Sequence, residues 1–292
     1  MFTGTYTAIV TPFRGGQVDE AALERLIKFQ IKGGVDGIVP VGTTGESPTV
    51  SYEEHIAIVA KSVQFAAGKI KVLAGTGGNS TSEAVYLTQA AEKAGADGSL
   101  QVAPYYNKPT QEGLFQHFKA IARATRLPVV LYSIPGRCGI EIAVDTVKRL
   151  AHDCKNIIGI KEAGGSCDRV SQLRAALGPK FEILCGDDSL TVPFMSVGAN
   201  GVISVASNVI PKEVSQMVAA CARGEARKAL ALHTRYYPLF KDLFIETNPT
   251  PVKAALAMMK MVDEEYRLPL VAMNPKNWET LRTTLKRCDV LD

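Results

Sequence analysis

The stretch Gly33-Gly34-Val35-Asp36-Gly37 is the first of three copies of one short phrase. The others are Ala94-Gly95-Ala96-Asp97-Gly98 and Val197-Gly198-Ala199-Asn200-Gly201. Each copy follows a segment with helical spacing of apolar residues and precedes an apolar run. Glycine ends a helix in a left-handed turn, and Asp or Asn followed by Gly turns the chain. The phrase therefore predicts a loop that leads from a helix into a strand.

The chain shows eight candidate strands whose starts are separated by 20 to 34 residues, which leaves room for one helix in each gap. They start near Tyr6, Gly37, Lys71, Gly98, Val129, Asn156, Phe181 and Gly201. In the first gap, Asp19 can cap a helix with an apolar face that includes Leu23 and Leu26. Eight alternating units predict an α/β fold, a (β/α)8 TIM barrel.

A doubly wound open sheet is the competing fold, and it usually carries a glycine-rich phosphate turn after its first strand. Here the first strand leads to Thr11-Pro12-Phe13-Arg14-Gly15-Gly16, which favours the barrel. After about residue 210 the pattern is helical, with breaks at Asn248-Pro249-Thr250-Pro251 and near Pro269. We predict a catalytic barrel over residues 1–223 and a C-terminal helical region over residues 224–292.

The bulk composition excludes several classes of protein. A hydrophobic content of 46% and a charged content of 21% argue against disorder. The net charge of +4 comes from scattered residues, so no nucleic-acid partner is predicted. Neither a signal peptide nor an apolar run of about 18 residues is visible, so we expect a soluble, cytoplasmic protein without a membrane partner. The six cysteines are widely spaced and form no C-x-x-C pair, so we expect free thiols and no metal site.

The segment Asn156-Ile157-Ile158-Gly159-Ile160-Lys161-Glu162-Ala163 places a lysine at the carboxyl end of a buried strand. In α/β barrels this is the end that holds the chemistry. Low-dielectric surroundings disfavour the charged amine, and a neutral amine can attack a carbonyl. The segment alone favours a lysine that reaches solvent or pairs with Glu162, and the other strand ends shift the balance towards catalysis.

Those other strand ends carry hydroxyls, phenols and an arginine. They read Gly42-Thr43-Thr44-Gly45-Glu46-Ser47, Pro104-Tyr105-Tyr106-Asn107, Leu131-Tyr132-Ser133-Ile134-Pro135-Gly136-Arg137, Cys185-Gly186-Asp187-Asp188 and Ile203-Ser204. A glycine-flanked turn with two hydroxyls suits an anion such as a carboxylate. The four histidines, His55, His117, His152 and His233, fall in helical segments, which disfavours a Ser-His-Asp hydrolase. Phenols beside a neutral lysine suggest imine chemistry.

The two adjacent carboxylates Asp187 and Asp188 raise the question of a metal site. No His or Glu at ligand spacing accompanies them. We therefore predict that they form hydrogen bonds within their loop.

Taken in order, these motifs resemble the pyruvate-dependent class I aldolase superfamily over nearly the whole chain. Further matching motifs are Phe2-Thr3-Gly4, Ile9-Val10-Thr11-Pro12 and Asn248-Pro249-Thr250-Pro251-Val252-Lys253. The last of these and Arg137 resemble the dihydrodipicolinate synthase branch. The resemblance implies a lyase that condenses pyruvate with aspartate semialdehyde in diaminopimelate and lysine biosynthesis. It implies no metal and no organic cofactor, and usually a homotetramer built as a dimer of dimers.

The resemblance also implies roles for individual residues. Lys161 would form the Schiff base with pyruvate, and Tyr132 would relay protons. Thr43 would link Tyr132 to Tyr106, which acts in the neighbouring subunit's site. Backbone N–H groups of Thr43 and Thr44 would hold the pyruvate carboxylate.

The remaining substrate-binding roles fall to three residues. Arg137 would hold the carboxylate of aspartate semialdehyde, and Gly186 and the Ile203 carbonyl would line the pocket. The family usually carries Tyr-Asn-x-Pro where this chain has Tyr132-Ser133-Ile134-Pro135. The shorter side chain of Ser133 is expected to affect the loop that carries Arg137, and with it substrate preference.

Lysine-inhibited members of the family bind lysine at the dimer interface, which implies an allosteric site here. Matching positions are Ser47, Pro48, Tyr52, His55, Asn79, Glu83 and Tyr105. Glu83 and Asn79 suit an α-amino and a carboxylate group, whereas Pro48 and Tyr52 depart from the usual residues. The alternative is that Glu83 and His55 are solvated helix residues.

Two other functions stay open at this point. One is another aldolase of the superfamily, such as a sialic acid or 2-keto-3-deoxy sugar acid lyase, which Arg137 disfavours. The other is a barrel that binds a keto acid as a sensor without catalysing a reaction, although nothing at the strand ends looks disabled.

Overall fold

The computed structural model describes residues 2–292 and shows a closed barrel of eight parallel strands. The strands are β1 (Gly4–Ala8), β2 (Gly37–Val39), β3 (Lys71–Gly75), β4 (Gly98–Val102), β5 (Val129–Ser133), β6 (Ile157–Glu162), β7 (Glu182–Cys185) and β8 (Gly201–Ser204). Each begins within two residues of its predicted start, and β8 pairs with β1 to close the barrel. The TIM-barrel prediction is confirmed. Met1, with which the predicted barrel range opens, lies outside the described residues.

Helices occupy the gaps between the strands. They are α1 (Glu20–Gly33), α2 (Tyr52–Ala66), α3 (Thr81–Lys93), α4 (Gln111–Arg123), α5 (Pro135–Cys138), α6 (Val144–Asp153), α7 (Cys167–Leu177), α8 (Thr191–Ser196) and α9 (Pro211–Ala222). Asp19 caps α1 as predicted, because its carboxylate accepts from the Ala22 N–H at 2.9 Å. Leu23 and Leu26 of this helix are fully buried against the barrel.

The repeated phrase marks the loops that it predicts. The glycine at the second position of each copy follows the helical segment and has a positive φ, for example 77° at Gly34. The Asp or Asn of each copy then accepts a hydrogen bond from the first residues of a neighbouring strand: Asp36 from the Thr5 N–H, Asp97 from Val72 and Asn200 from Ile183, at 2.8 to 3.0 Å. The side chain thus ties each new strand to the strand beside it.

The core has two layers. The larger, outer layer is packed between the strands and the helices. The smaller layer fills the barrel and includes Tyr6, Leu100, Tyr132, Leu184 and Ile203. Because strand side chains alternate between faces, this inward set ends at the carboxyl rim of the barrel with groups available for chemistry.

Three helices follow the barrel: α10 (Ala226–Asp242), α11 (Thr250–Met258) and α12 (Pro275–Arg287). Their breaks match those predicted, and no strand follows Ser204 in the described part of the chain. The division of the chain at residue 223 stays a prediction. A hairpin of two-residue strands, Phe13–Arg14 with Gln17–Val18, was not predicted, because strands this short carry no periodic signal. None of the helices within residues 2–292 combines the length and apolarity needed to cross a membrane.

Candidate active site

A cavity of about 250 Å³ opens at the carboxyl rim of the barrel. Most of the predicted site residues line it: Thr43, Thr44, Tyr132, Arg137, Lys161 and Gly186, together with Ser47 and Tyr105 of the predicted lysine site. The structure therefore brings together side chains that the sequence spreads over more than 140 positions. The rim is the place where barrel folds position catalytic groups.

Lys161 is the central group of the cavity and is only 7% exposed. It stands beside Tyr132 in the register of β5 and β6, and its Nζ lies 4.1 Å from the centroid of the Tyr132 ring. Gly186 leaves room for this side chain, because a Cβ there would meet Lys161 Cε at 3.0 Å and Ala163 Cβ at 2.6 Å. A side chain at position 186 would therefore crowd the lysine.

The surroundings of Lys161 favour the neutral amine. Burial lowers the pKa of Lys161 to about 8, and the Arg137 guanidinium acts in the same direction, while Asp188 and Cys185 oppose the shift. At pH 7 roughly one amine in ten is then neutral. This supply of free amine is what nucleophilic attack on a carbonyl requires.

Glu162, which follows Lys161, points into a different network. Its Oε2 lies 2.8 Å from Arg169 Nε. Within residues 2–292 its ion-pair partner is thus Arg169 and not Lys161. Arg169 also donates to the Ile142 carbonyl at 2.5 Å. Ser133 accepts from the Ile142 N–H at 3.4 Å, so the residue that departs from the family pattern still contacts the segment that follows Arg137.

Asp188 is a functional candidate that sequence reasoning missed. It is buried and accepts hydrogen bonds from Ser204 Oγ at 2.5 Å and from the N–H groups of Val205 and Ala206 at 2.9 Å each. Burial raises the pKa of Asp188 to about 6, so most of it is ionised at pH 7. The predicted bonding within the loop is observed for Asp187, which accepts from Ser189, but it is wrong for Asp188, because the carboxylate of Asp188 is turned towards the end of β8. Within residues 2–292 no group of three or more His, Cys, Asp or Glu could hold a metal ion.

Tyr132 is buried at the end of β5 and forms a hydrogen bond with Thr43. Burial raises the pKa of the Tyr132 phenol above its usual range, so the group is protonated at neutral pH. It stands ready to donate a proton to an oxygen bound near Lys161, and Thr43 is in place to take part in the exchange.

The turn that carries Thr43 and Thr44 is held from the C-terminal region. Asn248 Nδ2 donates to Thr44 Oγ1 at 3.0 Å, and the Asn248 carbonyl accepts from the Arg137 guanidinium at 3.2 Å. One residue thus spans both predicted carboxylate-binding elements. The motif Asn248–Lys253 resembles the family pattern, but the bridging contact of Asn248 has no local sequence signal.

Of the predicted catalytic and substrate-binding residues, two are not among the described residues that line the cavity. Ile203 is buried in the layer inside the barrel. Tyr106 is 90% exposed, has a φ of 72°, and does not line the Lys161 cavity of its own chain.

The predicted lysine-binding residues fall into two groups. Tyr105 lies next to Glu83, Glu83 forms a hydrogen bond with Tyr52, and Asn79 Nδ2 donates to the Tyr105 carbonyl at 3.2 Å. His55 is different, since it is buried and the burial lowers its pKa to about 4. His55 is therefore not a solvated helix residue, although a surface position was the alternative interpretation.

Comparison with known proteins gives a consistent result. A model of the dihydrodipicolinate synthetase family matches residues 1–288. A relative from Aquifex aeolicus (strain VF5), named 4-hydroxy-tetrahydrodipicolinate synthase, is 51% identical over 98% of each chain. The structure of 4-hydroxy-tetrahydrodipicolinate synthase from Methylacidiphilum fumariolicum SolV is 60% identical, has a TM-score of 0.98, and covers 99% of this chain and 96% of its own.

A third similar structure is that of the Cyanidioschyzon merolae enzyme with lysine bound. It is 41% identical, has a TM-score of 0.97, and covers 99% of each chain. The match extends over the barrel, the rim with its buried lysine and the C-terminal helices. On this evidence the chain belongs to the dihydrodipicolinate synthetase family.

Proposed function

We infer that this chain is a Schiff-base-forming lyase that condenses pyruvate with L-aspartate-4-semialdehyde, the 4-hydroxy-tetrahydrodipicolinate synthase reaction of diaminopimelate and lysine biosynthesis. The observation that carries the inference is the buried Lys161 amine, 4.1 Å from the Tyr132 ring in a cavity that also contains Arg137. Relatives about half identical over the whole chain bear the name of this activity.

The chemistry begins with attack of the neutral Lys161 amine on the carbonyl carbon of pyruvate. The resulting carbinolamine loses water as Tyr132 returns a proton to the leaving oxygen, and an imine forms. The imine draws electrons from the adjacent methyl group, which loses a proton to give an enamine. The enamine attacks the aldehyde carbon, and the aldehyde oxygen takes up a proton to become a hydroxyl. The amino group of the semialdehyde then adds to the regenerated imine carbon, and Lys161 leaves as the free amine.

The other residues bind and orient the two substrates. Thr43 passes protons to and from Tyr132, and the N–H groups of Thr43 and Thr44 hold the pyruvate carboxylate. Arg137 binds the carboxylate of the aldehyde, while Gly186 and the Ile203 carbonyl shape the wall near Lys161. Because the imine itself serves as the electron sink, the cycle needs no metal and no organic cofactor.

Tyr106 is assigned to the site of a neighbouring subunit. Its 90% exposure in one chain is the supporting observation, since an exposed tyrosine next in the chain to Tyr105, which lines the cavity, is available to a second copy. We extend this to a cytoplasmic homotetramer, a dimer of dimers. Tyr106→Phe should slow turnover severalfold at an unchanged melting temperature, and unchanged turnover would contradict the relay.

Lysine is proposed as an allosteric inhibitor that binds beside Tyr105, Asn79 and Glu83. The similar structure with lysine bound supports this proposal. A second support is that Ser47 and Tyr105 lie in the lining of the cavity that contains Lys161. His55 and Ser47 would complete the site. Titration calorimetry should show saturable heat with lysine and a weaker response in Glu83→Gln, and absence of heat in the wild-type chain would refute the proposal.

A sugar acid lyase is the alternative activity, and neither Arg137 nor the names of the relatives favour it. The deciding experiment is borohydride reduction in the presence of pyruvate, followed by peptide mass spectrometry, with Lys161→Ala as the control. We expect a pyruvate-derived adduct on Lys161 and turnover of aspartate semialdehyde. Absence of the adduct on folded protein would leave a barrel that binds a keto acid without catalysis.

A further inference from the structure

An ion pair with no exposed side-chain surface joins the substrate-binding turn to the C-terminal region. Lys253 Nζ lies 2.5 Å from Glu46 Oε1, and both side chains are 0% exposed. Glu46 belongs to the predicted anion-binding turn, and Lys253 belongs to α11, 207 residues later in the chain. Neither residue is among the described residues that line the cavity.

Glu46 controls the shape of the turn because its own backbone is unusual. Its φ is 55°, in the left-handed region that residues other than glycine rarely adopt. Its N–H donates to the Thr43 carbonyl at 3.1 Å, so the conformation of Glu46 and the path of the turn are coupled. Thr11 Oγ1 donates to the Gly45 carbonyl at 2.7 Å and fixes the turn from the barrel side.

Lys253 is held as firmly as its partner. Its Nζ lies 4.3 Å from the centroid of the Phe13 ring and 5.3 Å from that of Tyr266. The second oxygen of Glu46 accepts from the Arg267 N–H at 3.3 Å. The pair is therefore enclosed by aromatic rings and by backbone from the C-terminal region.

Stability alone is a poor explanation for such a pair. A buried ion pair loses hydration on both ions, and well-packed neutral residues of the same size are often as stable or more stable. What a charged pair adds is a defined distance and register between two elements, which an apolar contact defines less sharply. The element that is fixed here carries Thr43 and Thr44.

We propose that Lys253 is a positioning residue, which holds Glu46 so that the Gly42–Ser47 turn presents its N–H groups to the substrate carboxylate. The inference rests on the function proposed above and deepens it. It gives the C-terminal helices a role in pyruvate binding, in parallel with the Asn248 bridge to Thr44. Misplacing a binding element by about 1 Å can cost on the order of 100-fold.

The test separates positioning from folding by removing both charges together. Lys253→Met alone strands a buried carboxylate, so the informative variant is Glu46→Gln with Lys253→Met. We expect it to melt near the wild-type temperature, to raise KM for pyruvate about 10- to 100-fold, and to keep kcat within a few-fold. An exposed pair, Arg223 with Glu225, serves as the matched control, and its neutral double variant should leave both constants unchanged.

A folded double variant with wild-type KM for pyruvate would overturn the proposal. If the double variant does not fold, Glu46→Asp decides, because it keeps the charges paired and shortens the reach by one methylene. A raised KM with near-normal kcat in Glu46→Asp supports positioning, and an unchanged KM refutes it. Failure of the proposed function is a separate outcome, since the wild-type chain would then give no borohydride adduct on Lys161.

Discussion

The charge of Asp188 should set the pH at which Lys161 becomes reactive. This carboxylate raises the pKa of the lysine against the larger effect of burial. Asp188→Asn removes the charge and keeps the shape, and an amide can still accept from Val205 and Ala206 and donate to Ser204. We therefore expect the pKa of Lys161 to fall below about 8 while the loop stays in place.

The magnitude follows from the neutral fraction of the amine. With a pKa of about 8, roughly one Lys161 amine in ten is neutral at pH 7, compared with about one in 3000 for an ordinary lysine. Burial thus increases the supply of nucleophile by about 300-fold. In Asp188→Asn the neutral fraction at pH 7 rises further. The increase is at most about tenfold, because one in ten can rise no higher than complete neutrality.

The assay is the initial rate of borohydride trapping with pyruvate, followed by intact mass between pH 5.5 and 9.5. The wild-type rate should rise through a midpoint near 8, and the Asp188→Asn midpoint should lie lower. Asp187→Asn is the matched control, since Asp187 is not among the charges that shift Lys161, and its midpoint should stay near 8. An unchanged or higher midpoint in Asp188→Asn would refute the electrostatic reasoning.

Three further substitutions test other parts of the structure. Lys161→Met should abolish turnover yet raise the free energy of unfolding at pH 7 by about 1–3 kcal/mol in urea denaturation, because the folded state disfavours the charged amine. The free energy of unfolding of the wild-type chain should rise between about pH 8 and pH 10.5, because the unfolded chain holds the Lys161 proton over that range and the folded chain does not. This rise should be absent in Lys161→Met. Arg169→Met should lower that free energy by about 3–5 kcal/mol by stranding Glu162, and adding Glu162→Gln should recover much of it; no recovery would contradict the pairing. Leu26→Ala should cost about 2–5 kcal/mol without changing KM, and a changed KM would contradict its purely structural place.

Much of the fold could be predicted because its signals are local. A left-handed glycine, a following Asp or Asn, and an apolar run act over five to ten residues, and they marked the strand starts to within two positions. The closed barrel then followed from counting units. The short hairpin at Phe13–Arg14 escaped because two residues cannot show a period.

The site residues likewise include some with a local sequence signal and some without one. Lys161 was predictable because a charged residue directly after a buried apolar run is unusual and visible in the local sequence. Tyr132 was predictable because it lies near the end of the neighbouring strand. Asp188 was not predictable as the counter-charge, because its carboxylate bonds to Ser204 on the neighbouring strand, 16 residues later in the chain. The simplest interpretation of the segment, a pair between Lys161 and Glu162, was also wrong, because Glu162 pairs with Arg169.

Local patterns in the chain were thus enough to predict the order of elements, the barrel, and the amine and phenols at its rim. How those groups are charged and held depends on contacts between distant positions. The pairing of Glu46 with Lys253 and the bridge from Asn248 to Thr44 each join residues more than 200 positions apart. The physical reason is that pattern and turn chemistry act through neighbours in the chain. Desolvation and ion pairing depend on whatever the folded chain places within a few ångströms.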